Sequence, residues 1–131
     1  MIFVDTGVWY AANVPEDPDH TEARQLVLGA TSPLITTDYV VDELLTLLIA
    51  RKRRDIAVRI GDGFWRQTSC DLEWVKTEDV DSAWNVFLSF VDKDWSFTDC
   101  VSYAVMKRLG IIEAYALDEH FKQFGFATVK P

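Results

Sequence analysis

Acidic side chains carry whatever chemistry this sequence can do. Asp5 follows the apolar run Ile2-Phe3-Val4, and Asp118 follows Tyr115-Ala116-Leu117. A short apolar run rich in β-branched and aromatic residues reads as a buried parallel strand. Each Asp then stands at the carboxyl end of a strand, the edge where open α/β sheets bind ligands. If the two strands are parallel neighbours, about 4.8 Å apart, Asp5 and Asp118 lie side by side. Carboxylates about 4 Å apart repel by roughly 4 kcal/mol at an effective dielectric of about 20, more than a fold accepts for turn formation alone. Glu43 is the third acid. It sits in the most apolar helix, among Val40, Leu44 and Leu47, and faces either a solvent stripe with Asp42 and Thr46 or something positive. Asp99 is the fourth. Ser96-x-x-Asp99 has the form of a capping box, and a helix start after a strand crossover also faces the carboxyl edge.

Four such acids, with no Lys, Arg or His among them, suit one or two divalent cations. Carboxylate oxygen is the preferred ligand of Mg²⁺ and Mn²⁺, with water completing the octahedron. Two such ions about 3.5–4 Å apart stabilise the attacking and leaving oxygens of phosphodiester cleavage, which requires no Ser or His nucleophile. His20 falls in a loop and His120 in a short helix; both read as surface residues, with His120 close enough to Asp118 to approach a substrate phosphate. Val4-Asp5-Thr6-Gly7 contains the Asp-Thr-Gly of dimeric aspartic half-proteases, but those are β proteins and the long helix expected over Tyr39–Arg53 contradicts that class. A non-catalytic module that uses its acids for a cation or a basic peptide is the other alternative.

The elements that must position these acids alternate. Strand Ile2–Val4 feeds a short helix, and Asp17-Pro18 suits the start of a helix over Thr21–Ala30. Leu34–Thr36 is a second strand, and Thr37 or Asp38 caps the helix that follows. Asp55–Gln67 is a helix with two internal glycines, Leu72–Val75 a third strand and Glu78–Asp92 a helix. The helix opened by Ser96 stops at Gly110, as helices do at glycine. Tyr115–Leu117, a short helix over Glu119–Phe124 and strand Ala127–Val129 complete the chain. Connections too long for hairpins predict a three-layer α/β fold, its central sheet mostly parallel.

The 131 residues are 49% apolar and 26% charged, which predicts one globular domain over 1–131. No apolar run reaches the roughly 20 residues of a membrane span, and the N-terminus lacks a basic leader, so a cytoplasmic protein is expected. Cys70 and Cys100 have no metal-type spacing and read as reduced thiols. The net charge of −8 opposes phosphate binding unless bound metal or a local basic patch offsets it. Arg51-Lys52-Arg53-Arg54 is the one dense basic run, either a solvated helix end or a phosphate-tracking patch. Trp95 borders the acids and is placed to stack on an unpaired base. Trp65, Trp74 and Trp84 read as core or interface.

Asp5-Thr6, Thr37-x-x-Val40-x-x-Glu43, Trp95-Ser96-Phe97-Thr98-Asp99-Cys100 and Leu117-Asp118-x-His120-Phe121 together resemble the PIN-domain ribonucleases, and more narrowly the VapC-type toxins of toxin–antitoxin modules. The resemblance covers essentially the whole chain. It implies a five-stranded parallel sheet between helices, Mg²⁺- or Mn²⁺-dependent cleavage of RNA, a cognate antitoxin and a homodimer. By position it makes Asp5, Glu43, Asp99 and Asp118 the acidic quartet. Thr6, Ser96 and Thr98 would hold carboxylates or metal waters, and Asp94 is an outer acid. Glu119 does not match the family's further acid. An antitoxin segment is expected to lie in an apolar groove and offer a basic side chain to the acids.

Overall fold

The computed structural model describes residues 1–131. Five strands, β1 (Ile2–Val4), β2 (Leu34–Thr37), β3 (Asp71–Glu73), β4 (Glu113–Tyr115) and β5 (Ala127–Val129), form one sheet in the order β3-β2-β1-β4-β5, every pair parallel. The helices between them are α1 (Thr6–Asn13), α2 (His20–Leu28), α3 (Asp38–Ala50), α4 (Arg54–Trp65), α5 (Thr77–Ser89), α6 (Phe97–Leu109) and α7 (His120–Gln123). Parallel strands need such crossovers. The expected mostly parallel five-stranded α/β sheet is therefore present.

β1 lies at the centre. Ile2, Phe3 and Val4 are all buried, and Thr36 Oγ1 donates to Val4 O at 3.1 Å, tying β2 to the end of β1. Val40, Val41, Leu44 and Leu48 of α3 are fully buried, so that helix packs as its apolar circumference requires. Thr37 caps it, its hydroxyl accepting from Val40 N–H at 3.2 Å. Ser96 caps α6 through the expected reciprocal pair of bonds with Asp99, and Gly110 ends α6 at φ 69°. Across the sheet's other flank, Arg108 of α6 clamps Asp79 of α5 in a bidentate pair (2.7 and 2.8 Å) and reaches Glu73 of β3 at 2.9 Å.

Three expectations shift. The long helix over Tyr39–Arg53 stops at Ala50, because Lys52 takes a left-handed φ of 59° and turns the chain into α4. β4 lies two residues earlier than Tyr115–Leu117. Its apolar tail leaves the sheet after Ala116, and Leu117 packs instead on the small Gly7 and the Ala11, Ala12 and Ala23 cluster. Of the core and interface readings of Trp65, Trp74 and Trp84, the core one falls: all three are exposed, with Trp65 stacked on Trp74 and Trp84 on Phe87. No helix is long and apolar enough to cross a membrane.

Candidate active site at the carboxyl edge

The register sets the site. Phe3 pairs with Ile35 and with Ala114, and Val4 with Tyr115, so the chain leaves β1 at Asp5 where β2 and β4 also end. Asp5 N–H donates to Tyr115 O at 3.1 Å, and Asp5 O accepts from Trp9 N–H to start α1. This fixes the Asp5 backbone and leaves its side chain at the sheet edge. Only 5% exposed, that carboxylate has one oxygen, Oδ1, with no hydrogen-bond partner, and the buried Thr6 hydroxyl beside it has none either. Burial pushes the Asp5 carboxyl well above the usual aspartate range; the charges of Asp99, Asp118 and Glu43 add to this, opposed by the Thr6 N–H.

Asp99 comes from the first turn of α6, buried at 6%. Its Oδ2 accepts from Ser96 N–H at 3.0 Å and lies 2.7 Å from His120 Nδ1. Burial raises its carboxyl too, with Asp118 adding, while the Ser96 bond and His120 pull the other way. Capping and membership of the site are thus compatible at Asp99, as expected. Glu43 projects half-buried from the second turn of α3.

Asp118 does not follow its strand directly as Asp5 does, yet its charge still raises the Asp5 carboxyl. Because β4 ends at Tyr115, Asp118 falls in the turn beyond, with its side chain 49% exposed. There its Oδ1 accepts from His120 N–H at 3.0 Å, and its Oδ2 lies 3.5 Å from His120 Nδ1. His120 is therefore no detached surface residue but stands between two of the acids. The signal for it was the Asp118-x-His120 spacing, since an Asp commonly bonds the backbone two residues on.

The other candidates divide. Ser96 supports Asp99, while Thr98 is half-buried on the first turn of α6 and Asp94 is exposed ahead of it. Trp95 is not available to stack on a base: it is 8% exposed, packed between Phe90 and Phe124, with its indole N–H donated to Gln123. In the basic run, Arg53 is bound by Glu16 and Asp55, and Arg51 lies over the Tyr10 ring. Lys52 and Arg54 are exposed. The run begins eight residues beyond Glu43, about 12 Å along α3. Both thiols are buried and pushed up, Cys70 to about 12 and Cys100 to about 11, so neither is a nucleophile at neutral pH.

The acids share one field without closing a ligand cage, for no three His, Cys, Asp or Glu side chains gather at metal-ligand spacing. The donor set is nevertheless all oxygen, with two buried oxygens of Asp5 and Thr6 unpartnered. That suits a small hard cation that keeps several of its waters.

An all-parallel α/β sheet with acids converging beyond its central strand is a nuclease-like arrangement, and the family is shown by the sequence: the chain belongs to the PIN domain family, whose model matches residues 2–127. The chain is similar over its whole length to the 23S rRNA-specific endonuclease VapC20 of Mycobacterium tuberculosis. The two are 34% identical over 131 residues, covering 100% of this chain and 99% of the relative. The crystal structure of M. tuberculosis VapC20, described as a sarcin–ricin loop cleaving toxin, matches at TM-score 0.93 and 32% identity over 100% of both chains. A structure of FitAB bound to an IR36 DNA fragment matches at TM-score 0.74 and 14% identity, over 100% of this chain and 95% of that one. At that identity the likeness is one of fold.

Proposed function

We propose that this chain is a divalent-cation-dependent endoribonuclease, the toxin of a toxin–antitoxin pair, which hydrolyses an RNA phosphodiester at the edge beyond β1. The observation that carries the reading is Asp5, a buried carboxylate with a free oxygen, raised by burial and by the charges of Asp99, Asp118 and Glu43. Such a group needs positive charge beside it, and no Lys or Arg supplies it. The full-length likeness to VapC20 supports ribosomal RNA as the substrate class.

Asp5 and Asp99, with Asp118 and Glu43 behind them, would hold Mg²⁺ or Mn²⁺, as one ion or two. A bound cation supplies charge compensation and Lewis acidity at the scissile phosphate. The chain's own residues do the rest. Asp5, its backbone held by Tyr115 O, presents its unpartnered Oδ1 at the sheet edge, where, once ionised, it would hold the cation. Ser96 N–H and His120 hold Asp99 Oδ2 and fix the rotamer of that carboxylate. His120, 25% exposed between Asp99 and Asp118, can donate to a phosphate oxygen once the substrate enters. Thr6, Ser96 and Thr98 present hydroxyls to carboxylates or to waters, and Asp94 is an outer acid. Arg51, Lys52 and Arg54 extend the reach of RNA binding away from the acids, while Arg53 is held by its two carboxylates.

The partners follow from the same surfaces. The antitoxin presents a basic side chain to the acids and an apolar segment to the chain. A second copy covers the exposed apolar face of α5, where Trp84, Phe87 and Leu88 stand open.

The test is cleavage of total RNA and of intact ribosomes by antitoxin-free protein in Mn²⁺, in Mg²⁺ and in EDTA, beside Asp99→Asn. Discrete fragments are expected with either metal, none in EDTA, and a loss of at least about 100-fold in the variant. Cleavage that ignores EDTA or the substitution refutes the reading and leaves a catalytically silent module for RNA or a basic peptide.

A further inference from the structure

Trp65 and Trp74 stack with ring centroids 5.8 Å apart and planes 21° from parallel, yet they remain 42% and 59% exposed. Each indole covers one face of the other, and the larger part of Trp74 stays open to water. Stacking removes only part of the apolar surface the two rings would otherwise leave in solvent. A paired aromatic surface held open in this way marks a place of contact.

The strand register fixes where the pair stands. β1 and β2 pair Phe3 with Ile35, and continuing that register sets Asp5 level with Thr37. Thr37 in turn pairs with Glu73, the last residue of β3. Trp74 therefore leaves the sheet at the same carboxyl edge as Asp5, two strand spacings or about 10 Å away along the backbone layer. The chain is held on both sides of it, by the Thr37–Glu73 pairing before and by Val75 N–H donating to Asp38 Oδ1 at 2.8 Å after. The acids flanking the two rings in sequence are already compensated, Asp62 by Arg66 and Glu73 by Arg108, each at 2.9 Å. Lys76, two residues past Trp74, is exposed.

An RNA strand with its scissile phosphate at Asp5 must carry the flanking nucleotides across this edge. Every unpaired base presents a flat π face, and stacking on an indole accepts any of them. Compensated acids beside the rings spare the adjoining phosphates their repulsion. A second copy of the chain needs about 800 Å² per partner, more than two half-open indoles supply. We propose that the Trp65–Trp74 pair is a stacking platform for one unpaired base of the RNA substrate, a nucleotide flanking the scissile phosphate, with the open face of Trp74 against that base. This role rests on the reading of the carboxyl edge as an RNA-cleaving site.

The experiment separates the two. In EDTA, where nothing is cleaved, the full chain is titrated into a fluorescein-labelled RNA hairpin with an unpaired loop, and into the same hairpin with one loop nucleotide at a time made abasic. Saturable binding is expected, with the affinity lost at one abasic position. Trp74→Ala and Trp65→Ala, folded by circular dichroism, weaken binding by about tenfold, and Trp74→Phe retains part of it. Ile112→Ala, equally exposed but ahead of β4 at the opposite edge, leaves it unchanged. On the RNA cleaved in Mg²⁺ or Mn²⁺, Trp74→Ala raises KM by a similar factor and leaves kcat in place, as loss of uniform binding does. RNA binding that depends on Trp74 in a protein that cleaves nothing keeps the platform and removes the nuclease reading. Cleavage with a KM indifferent to both Trp→Ala variants keeps the nuclease and overturns the platform. Equal affinity for every abasic hairpin, a Trp74-dependent affinity for an arginine-containing apolar peptide but not for RNA, or a change of oligomeric state in Trp74→Ala by sedimentation each overturns the platform as well.

Discussion

Asp5→Asn separates a functional carboxylate from a structural one. The side chain is 5% exposed, and its Oδ1 has no partner. A buried unsatisfied polar group costs about 1–3 kcal/mol, and more when charged. Asn keeps the shape, removes the charge and brings an N–H₂ that can donate to the neighbouring acids. At an unfolding entropy of about 2.1 cal/mol/K per residue, the whole chain amounts to about 0.28 kcal/mol/K. Asp5→Asn is therefore expected to raise the metal-free Tm by about 4–11 °C at pH 7.5 while abolishing RNA cleavage. The pH dependence has a definite sign. The Asp5 carboxyl is raised in the folded chain by burial and by Asp99, so the folded state keeps its proton to a higher pH than the unfolded one, where aspartate titrates near about 3.9. The associated stability is fully present below that value and is lost as pH rises through the raised folded pKa. The wild-type Tm in EDTA should fall over that window more steeply than the variant's. Mg²⁺ at about 100 times its Kd should return about 2.7 kcal/mol to the wild type, roughly 10 °C, and much less to the variant. Thermal melts from pH 4 to 8, with EDTA or Mg²⁺, read all of this. A fall of more than about 3 °C in metal-free Asp5→Asn would make Asp5 a structural residue and remove the argument for a cation.

Other substitutions probe the scaffold that carries the acids. Asp79→Ala strips Arg108 of its bidentate partner; losing one member of a buried pair costs about 3–5 kcal/mol, and the 22% exposure of the Arg108 side chain places the cost near about 3, a Tm fall of roughly 11 °C. The Arg108 guanidinium holds the Asp79 carboxyl below its usual range, so this stabilisation is present above the unfolded aspartate pKa and is lost as pH falls through the depressed value; acid unfolding followed by circular dichroism should show Asp79→Ala with the shallower acid limb. Thr37→Ala removes the α3 cap and should lower Tm by about 4–7 °C, from a cap worth about 1–2 kcal/mol. Gly110→Ala forces a side chain onto φ 69° and should cost about 1 kcal/mol, seen as a Tm some 4 °C lower.

Local chemistry alone determined much of this protein. Ile2-Phe3-Val4 ending at Asp5, the cap at Thr37, and the Ser96–Asp99 box with its stop at Gly110 are each contained in a few adjacent residues, and each stands where the spacing predicts. The alternation of apolar strands with helices likewise requires parallel pairing. Other features depended on contacts distant in sequence. Leu117 reads as strand until Gly7 offers it a place outside the sheet, and that choice moves β4 back two residues and sends Asp118 into the turn beyond. His120 meets Asp99 across 21 positions of sequence, a contact no local pattern contains. Trp95 sits beside the acids in sequence, yet Phe90 and Phe124 enclose it. The Trp65, Trp74 and Trp84 side chains show core-like periodicity and are nonetheless exposed. Periodicity says which face of an element is apolar; only the packing of the other elements decides whether anything covers that face, and which side chains a turn finally brings together.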